Sequence, residues 1–149
     1  MIFVRKAKLE DIEALIKLNL DHGFTKEDIF NSDGDYYVSI NNDIICGSGS
    51  LFINDDFCIV KNVIVMEEYR REKIGTMLVK TMLNSAEIKG SIIAICTGKC
   101  KGFSKYLGFK PITIDNLPVH VINYLMSKNI KEDINYVSLV DYFKCSCKN

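Results

Sequence analysis

Residues 60–83, VKNVIVMEEYRREKIGTMLVKTML, predict a strand, a short basic loop and a helix. The run VIV at 63–65 is β-branched and apolar, as is typical of a buried strand. Further along, apolar side chains recur with helical spacing at Ile74, Met77, Leu78 and Met82. We therefore expect a buried strand that leads through a basic loop directly into a helix, with the rest of the fold arranged around this unit.

The loop YRREKIG at 69–75 carries Arg70, Arg71 and Lys73 against one acid, Glu72. The first turn of a helix leaves backbone N–H groups without partners, and the helix dipole favours negative charge there. The loop therefore predicts a site for a phosphate or pyrophosphate. Gly75 supports this interpretation because a missing side chain lets a ligand approach the backbone closely. An ordinary basic turn between a strand and a helix is the alternative.

Two other phosphate-binding motifs are absent from the sequence. No G-x-G-x-x-G of the dinucleotide-binding kind occurs in it. A P-loop is excluded because Gly98-Lys99 is followed by Cys100, and Ile93 stands where the motif requires its first glycine.

Length and composition predict a single domain over residues 1–149, large enough to bury a continuous core. Lysine plus arginine equal aspartate plus glutamate at 19 each, so no global basic field favours nucleic acid as a partner. No apolar run is long enough to span a bilayer, and the N-terminus becomes charged after four residues, unlike a signal peptide. We expect a cytoplasmic protein without a membrane partner.

The six cysteines are expected to be reduced thiols, because a domain with 48% hydrophobic residues does not need disulfides. Cys145 and Cys147, with Cys96 and Cys100, offer thiolates for zinc, but paired C-x-x-C ligands are missing. No metal site is predicted.

The order of predicted elements begins with a strand, two helices and an antiparallel meander. The strand covers 2–7, the helices cover about 9–21 and 25–30, and the three strands of the meander cover 35–40, 44–53 and 57–65, joined by polar turns. Gly47 and Gly49 interrupt the middle strand, which indicates a bulge or the close approach of a backbone or ligand. A helix at 74–89, a strand at 91–97, a strand at 108–114, a helix at 118–128 and a last strand at 136–143 follow.

Three segments of the chain, and the order of the predicted elements around them, resemble the GNAT acetyltransferase family. The pattern V-x-x-x-Y-R-x-x-x-I-G-T at 65–76 is similar to its acyl-CoA loop, whose core is (Arg/Gln)-x-x-Gly-x-(Gly/Ala). Arg70 and Gly75 match that core, and Lys73 stands at its first glycine. VRKAKLEDIEALIKL at 4–18 is similar to the family's opening strand and helix, and FSKYLGFK at 103–110 is similar to its F-Y-x-x-x-G-F signature.

The resemblance implies an α/β (α+β) GNAT fold, with a mixed, mostly antiparallel sheet of about six or seven strands flanked by helices. It also implies an enzyme that transfers the acetyl group from acetyl-CoA to a primary amine. The backbone N–H of Val65 would face the thioester oxygen, and the amides of the loop would hold the pyrophosphate. The implied cofactor-binding residues are Val63, Ile64, Val65, Arg70, Arg71, Glu72, Lys73, Ile74, Gly75 and Thr76.

Proton transfer is the part of the resemblance that the sequence leaves open. The family commonly has a tyrosine where this chain has Ser104, and Tyr106, two residues on, would face another side of a helix. Many relatives place an acid near the position of Ile59. The remaining candidate bases are Glu67, Asp55, Asp56, His22 and His120, and an amine that loses its proton through water needs none of them. We take Ser104 and Glu67 as the catalytic candidates beside Val65.

The sequence does not select the acceptor among small amines, which include amino-acid-like and polyamine-like molecules, and protein amines. Leu117-Pro118 after Gly108-Phe109 resembles the acetyltransferase domain of N-acetylglutamate synthases, which favours a small amino acid. The apolar helix at 118–128 is expected to cover the sheet, with a homodimer contact as the alternative. A catalytically degenerate acyl-CoA sensor and a nucleotide-binding module are the competing functions.

Overall fold

Seven strands form one mixed sheet in the computed structural model, which describes residues 1–30, 33–70, 72–97 and 107–146. Their order is β1-β2-β3-β4-β5-β7-β6; β4 and β5 are parallel, and the other neighbouring pairs are antiparallel. The strands are β1 Ile2–Lys6, β2 Asp35–Asn41, β3 Ile44–Asn54, β4 Phe57–Val65, β5 Ile93–Cys96, β6 Lys110–Pro111 and β7 Asn135–Ser138. This is the mixed, mostly antiparallel sheet that the resemblance implied.

Five helices flank the sheet within the described ranges. They are α1 Ile12–Asp21, α2 Lys26–Phe30, α3 Ile74–Ile88, α4 Val119–Ser127 and α5 Leu139–Ser146, and short 3-10 turns lie at Leu9–Asp11, Glu67–Tyr69 and Ile114–Asn116. None of these helices is long and apolar enough to cross a membrane.

The polar turns of the meander have the backbone that tight hairpins require. Asn42 and Asp43, between β2 and β3, both have positive φ, at 50° and 69°. Two such residues in sequence match the twist of the flanking strands, and asparagine and aspartate tolerate this conformation better than most residues. The meander was therefore predicted correctly from its turns.

Alternate residues along the strands divide the core between the two faces of the sheet. Cys58 and Val60 pack with α3 and α5 on one face, whereas Phe57 and Ile59 pack with α4 on the other. Helix α1 lies on the α4 side, because Asn19 Nδ2 donates to Ser48 Oγ at 3.3 Å. Helices α1, α2 and α4 thus cover one face, and the second face carries α3 and α5.

The last predicted strand, 136–143, is wrong in its second half. Strand β7 ends at Ser138, and α5 begins at the next residue. The Ser138 hydroxyl accepts the backbone N–H of Asp141 at 3.1 Å, the bond that caps a helix N-terminus. Leu139, Tyr142 and Phe143 then fall on one helical face and pack into the core beside α3. The strand expected at 108–114 is also shorter, because only Lys110 and Pro111 pair with β7.

Candidate active site

Strand β4 separates from β5 part of the way along its length. The two strands pair from Phe57 opposite Ile93 to Val60 opposite Cys96, and the ladder ends there. Just beyond, Asn62 has a φ of 56°, and the register of β4 against β3 shifts between Ser48 and Ser50. A bulge of this kind bends a strand and increases its twist. Among the described residues, 61–65 therefore have no strand partner on the β5 side, and we call this open side of β4 the gap.

The backbone of Val65 faces this gap. Val65 lies opposite Gly47, and the next residue, Met66, donates its N–H to the Cys46 carbonyl at 2.8 Å. A bond between these flanking residues identifies the Gly47–Val65 pair as a non-hydrogen-bonded pair of the antiparallel ladder. The N–H and C=O of Val65 consequently point away from β3. By strand alternation Val63 shares this direction, whereas the backbone of Ile64 points toward β3.

The N-terminus of α3 lies directly after this strand and its 3-10 turn. Lys73 is the N-cap residue, and the first intrahelical bond runs from the Met77 N–H to the Lys73 carbonyl at 3.0 Å. The N–H groups of Ile74, Gly75 and Thr76 precede that bond and have no acceptor within the helix. The first turn contains no acidic residue, and the Lys73 side chain makes no capping bond. These three amides form a cradle of the kind that binds phosphate groups.

Close packing between β3 and α3 fixes this cradle against the sheet. A Cβ added at Gly49 would lie 2.9 Å from Met82 Cε of α3, and one added at Gly47 would lie 3.0 Å from the Ile64 carbonyl oxygen. Ile74 and Leu78, on the inner side of α3, are buried. The two glycines predicted to mark a close approach thus bring β3 against α3 and β4.

The remaining residues of the predicted acyl-CoA loop differ in what they offer. The Arg70 amide already donates to the Glu67 carbonyl at 3.2 Å, and Arg70 Nε donates to the Val65 carbonyl at 3.2 Å. The Arg70 amide is therefore already engaged, unlike the amides of Ile74, Gly75 and Thr76. Glu72 and Lys73 are exposed, and Arg71 lies outside the described residues.

The candidate bases lie in three different places. Glu67 is exposed and follows Val65 by two residues. His22 Nδ1 lies 2.8 Å from the Leu18 carbonyl and completes the end of α1. Ser104 and the nearby Tyr106, which were considered at the family's tyrosine position and not as bases, fall in the segment 98–106, which is not described.

The other three candidates lie at the opposite end of β4 from the gap. His120 Nε2 is 2.6 Å from Asp56 Oδ1, and Asp55 is in the same turn. At about 3.3 Å per residue, Asp56 is roughly 30 Å along the chain from Val65. The structure therefore does not bring Asp55, Asp56 or His120 to the gap.

A polar group that sequence reasoning missed lies beside the bulge. Asn62 Nδ2 donates to the Tyr36 hydroxyl at 3.1 Å, across β3 from β4 to β2. Burial raises the pKa of Tyr36 above its ordinary value, and the Asn62 hydrogen bond opposes that shift. The feature of the sequence that could have indicated this group is the polar pair Lys61-Asn62, which interrupts an otherwise apolar strand.

Metal ligation finds no support in the described ranges. No group of three or more histidine, cysteine, aspartate or glutamate side chains there is placed to hold a metal ion. Cys46, Cys58 and Cys96 are buried and form no disulfide with another described residue.

Comparison with known proteins agrees with this geometry. The model of the acetyltransferase (GNAT) domain matches residues 32–111, more than half of the chain. No curated protein matches the sequence.

Several solved structures share the fold. A GNAT-family acetyltransferase from Staphylococcus aureus Mu50 superposes with a TM-score of 0.74 at 21% identity, covering 93% of this chain and 99% of that one. N-acetylglutamate synthase from Neisseria gonorrhoeae, complexed with coenzyme A and N-acetyl-glutamate, gives a TM-score of 0.72 at 18% identity, and the match covers 93% of this chain but 35% of that protein. The ribosomal-protein-S18-alanine N-acetyltransferase from Escherichia coli gives 0.68 at 16% identity, covering 93% and 94% of the two chains.

A strand that leaves its parallel neighbour, with free amides of a helix N-terminus at its end, suits a ligand that has a phosphate group at one end and an extended chain at the other, as an acyl-CoA does. Taken with the match over residues 32–111, this shows that the chain belongs to the GNAT acetyltransferase family, and its co-substrate is acetyl-CoA.

Proposed function

We propose that the protein transfers the acetyl group of acetyl-CoA to the primary amine of a small molecule. The observation that carries this proposal is the direction of Val65, whose N–H faces the gap between β4 and β5 directly before the cradle of α3. A donor in that place can bind the thioester oxygen while the cradle binds the pyrophosphate of the same molecule.

In this proposal the pyrophosphate binds the amides of Ile74, Gly75 and Thr76, where the helix dipole favours its charge. Lys73, together with Arg71, adds positive charge. The pantetheine arm then runs from the cradle to the open side of β4, where it can bond free backbone groups much as a strand would. This path brings the thioester to Val65.

The reaction proposed for this site is direct acyl transfer. The neutral amine nitrogen attacks the thioester carbonyl carbon, so a C–N bond forms while the carbonyl oxygen gains negative charge. The Val65 N–H stabilises that oxygen, and a donor of this kind contributes about 3 kcal/mol in other enzymes. When the C–S bond breaks, the nitrogen gives up a proton and the sulfur gains one, which yields the amide and coenzyme A.

Glu67 is the proposed acceptor of the amine proton, through water, because it is the acid closest along the chain to Val65 among the five candidate bases. Ser104 is proposed as the donor to sulfur because it stands at the family's tyrosine position.

The choice of a small acceptor, amino-acid-like in chemistry, is supported by two likenesses. Leu117-Pro118 resembles the corresponding part of N-acetylglutamate synthases, and the N. gonorrhoeae enzyme of that name shares this fold.

Replacement of Val65 by proline tests the proposal. Proline removes the N–H that faces the gap, and a strand tolerates it where that N–H makes no ladder bond. We expect Val65→Pro to lower kcat for thiol release by about 100-fold or more while the calorimetric Kd for acetyl-CoA stays within a few-fold.

Val65→Ala is the matched control, because it shortens the same side chain and keeps the N–H; it should retain most of the activity. Equal kcat values for the two variants would remove Val65 from the mechanism. Tight acetyl-CoA binding without thiol release from any amine would favour a non-catalytic acyl-CoA sensor.

A further inference from the structure

We infer that the acceptor carries a carboxylate close to its amine, and that Tyr36 and Lys61 bind this carboxylate. The inference rests on the proposed function and names the chemistry of its acceptor.

Three polar side chains form a row across the sheet at the bulge. Tyr36 of β2 pairs with Ser50 of β3, and Ser50 pairs with Lys61 of β4. Directly paired residues project from the same face of a sheet. This is the face of α1, α2 and α4, because Ser48 on the same side of β3 contacts Asn19 of α1. The row consists of hydrogen-bond donors: a phenol, a hydroxyl and an ammonium group.

Asn62 fixes the orientation of the phenol. Its amide donates to the Tyr36 oxygen at 3.1 Å, so the hydroxyl proton of Tyr36 is available for an acceptor atom of a ligand. Asn62 reaches this position from a left-handed backbone conformation, φ 56°, which asparagine adopts more readily than most residues. The same residue forms the bulge that opens β4. Opening of the gap and orientation of Tyr36 are therefore coupled through one residue.

Lys61 supplies the charge. Within the described part of the chain its ammonium group makes no ion pair. The nearby carboxylate of Asp33 is already held by Lys128 at 2.8 Å and by the Tyr124 hydroxyl at 2.7 Å. The half-buried Lys61 is drawn electrostatically to Asp33 but makes no direct ion pair among the described residues, and an anionic ligand would supply one.

The distances suit a small amino acid. Lys61 lies opposite Ser50 and Val65 lies opposite Gly47, three residues further along β3, so the two residues are about 10 Å apart along the sheet. The flexible four-carbon side chain of Lys61 can span much of that distance. A carboxylate bound by Tyr36 and Lys61 would therefore hold an amine on the same small molecule at the edge of the gap, where the thioester is proposed to lie. An acceptor without a carboxylate would leave the Lys61 ammonium group without an anion in direct contact.

Matched pairs of amines that differ only in the carboxylate test the inference. L-lysine is compared with cadaverine, L-phenylalanine with phenethylamine, and L-alanine with ethylamine, in the thiol-release assay at fixed acetyl-CoA. For the best pair we expect kcat/KM at least tenfold higher for the amino acid. Lys61→Met and Tyr36→Phe should each lower kcat/KM for the amino acid about tenfold or more. They should leave kcat/KM for the amine without the carboxylate within twofold, so that the ratio of the two kcat/KM values falls toward one.

Two controls separate ligand binding from folding. Lys61→Arg keeps the charge and should retain most of the preference. Tyr37→Phe removes a hydroxyl from the neighbouring residue, which faces α3 on the opposite side of the sheet, and should change neither kcat/KM value.

The failure of this inference is distinguishable from failure of the proposed function. Equal kcat/KM for both members of every productive pair, or equal losses for both in Lys61→Met, would overturn the carboxylate site and leave the transferase. If acetyl-CoA binds but no amine reacts, the same pairs are titrated calorimetrically into the complex with coenzyme A. Heat of binding for the amino acid that disappears in Lys61→Met would support the site. Absence of any heat of binding for the amino acids would overturn it. Absence of acetyl-CoA binding would overturn both.

Discussion

The backbone of Lys73 lies in the left-handed region, with φ 60° and ψ 23°, at the N-cap of α3. A residue with a side chain pays about 1 kcal/mol or more for this conformation, and glycine does not. This explains why the family motif has glycine at the position. We expect Lys73→Gly to raise the free energy of unfolding by about 0.5–1 kcal/mol, measured by urea denaturation, because the relieved strain exceeds the added flexibility of the unfolded chain.

The same substitution removes a charge beside the cradle, and Lys73→Ala separates the two effects. Alanine loses the charge but keeps the side-chain carbon, so it should weaken acetyl-CoA binding at low salt without raising stability. Unchanged or lower stability of Lys73→Gly would mean that the left-handed conformation is not strained.

One buried carboxylate joins the elements β1 and α1. Asp11 Oδ2 accepts from Arg5 Nη1 at 2.6 Å and from the Lys8 N–H at 2.6 Å, and Oδ1 accepts from Arg5 Nη2 at 3.1 Å. The Arg5 guanidinium holds the pKa of Asp11 below its ordinary value. Because the folded pKa is depressed, the carboxylate stabilises the fold at neutral pH, and that contribution is lost as the pH falls below about 4.

Asp11→Asn should therefore lower the free energy of unfolding by about 1–3 kcal/mol at pH 7, and the difference from the unsubstituted protein should shrink toward pH 3. Urea denaturation at the two pH values measures it. Glu10→Gln removes the charge of an exposed neighbour and serves as the control. If Asp11→Asn lowered the free energy of unfolding by the same amount at both pH values, the shape of the Asp11 side chain, and not its charge, would account for its contribution.

Over the whole molecule, local patterns predicted the fold well and the site in part. The hairpin turns, the amphipathic helices and the basic loop each leave a signal within a few residues. The C-terminal helix does not, because YVSLVDYF is aromatic and β-branched, and the Ser138 cap and packing beside α3 override that propensity. The Tyr36–Asn62 bond joins residues 26 positions apart through a bulge, so no local pattern reports it.

Binding of acetyl-CoA should stabilise the domain as a whole, since the ligand contacts both β4 and α3 in the proposed complex and these elements contribute to the central core. A ligand at 100 times its Kd adds about 2.7 kcal/mol to the free energy of unfolding, which for a domain of this size raises Tm by roughly 5–10 °C. Thermal unfolding with acetyl-CoA, coenzyme A and adenosine 3′,5′-bisphosphate measures the effect. The first two should give the larger shifts, because the bisphosphate lacks both the second phosphate of the pyrophosphate and the pantetheine arm that reaches Val65. Equal shifts for all three at equal concentration would mean that the open side of β4 takes no part in binding, and the cradle of α3 would then act as a site for the nucleotide alone.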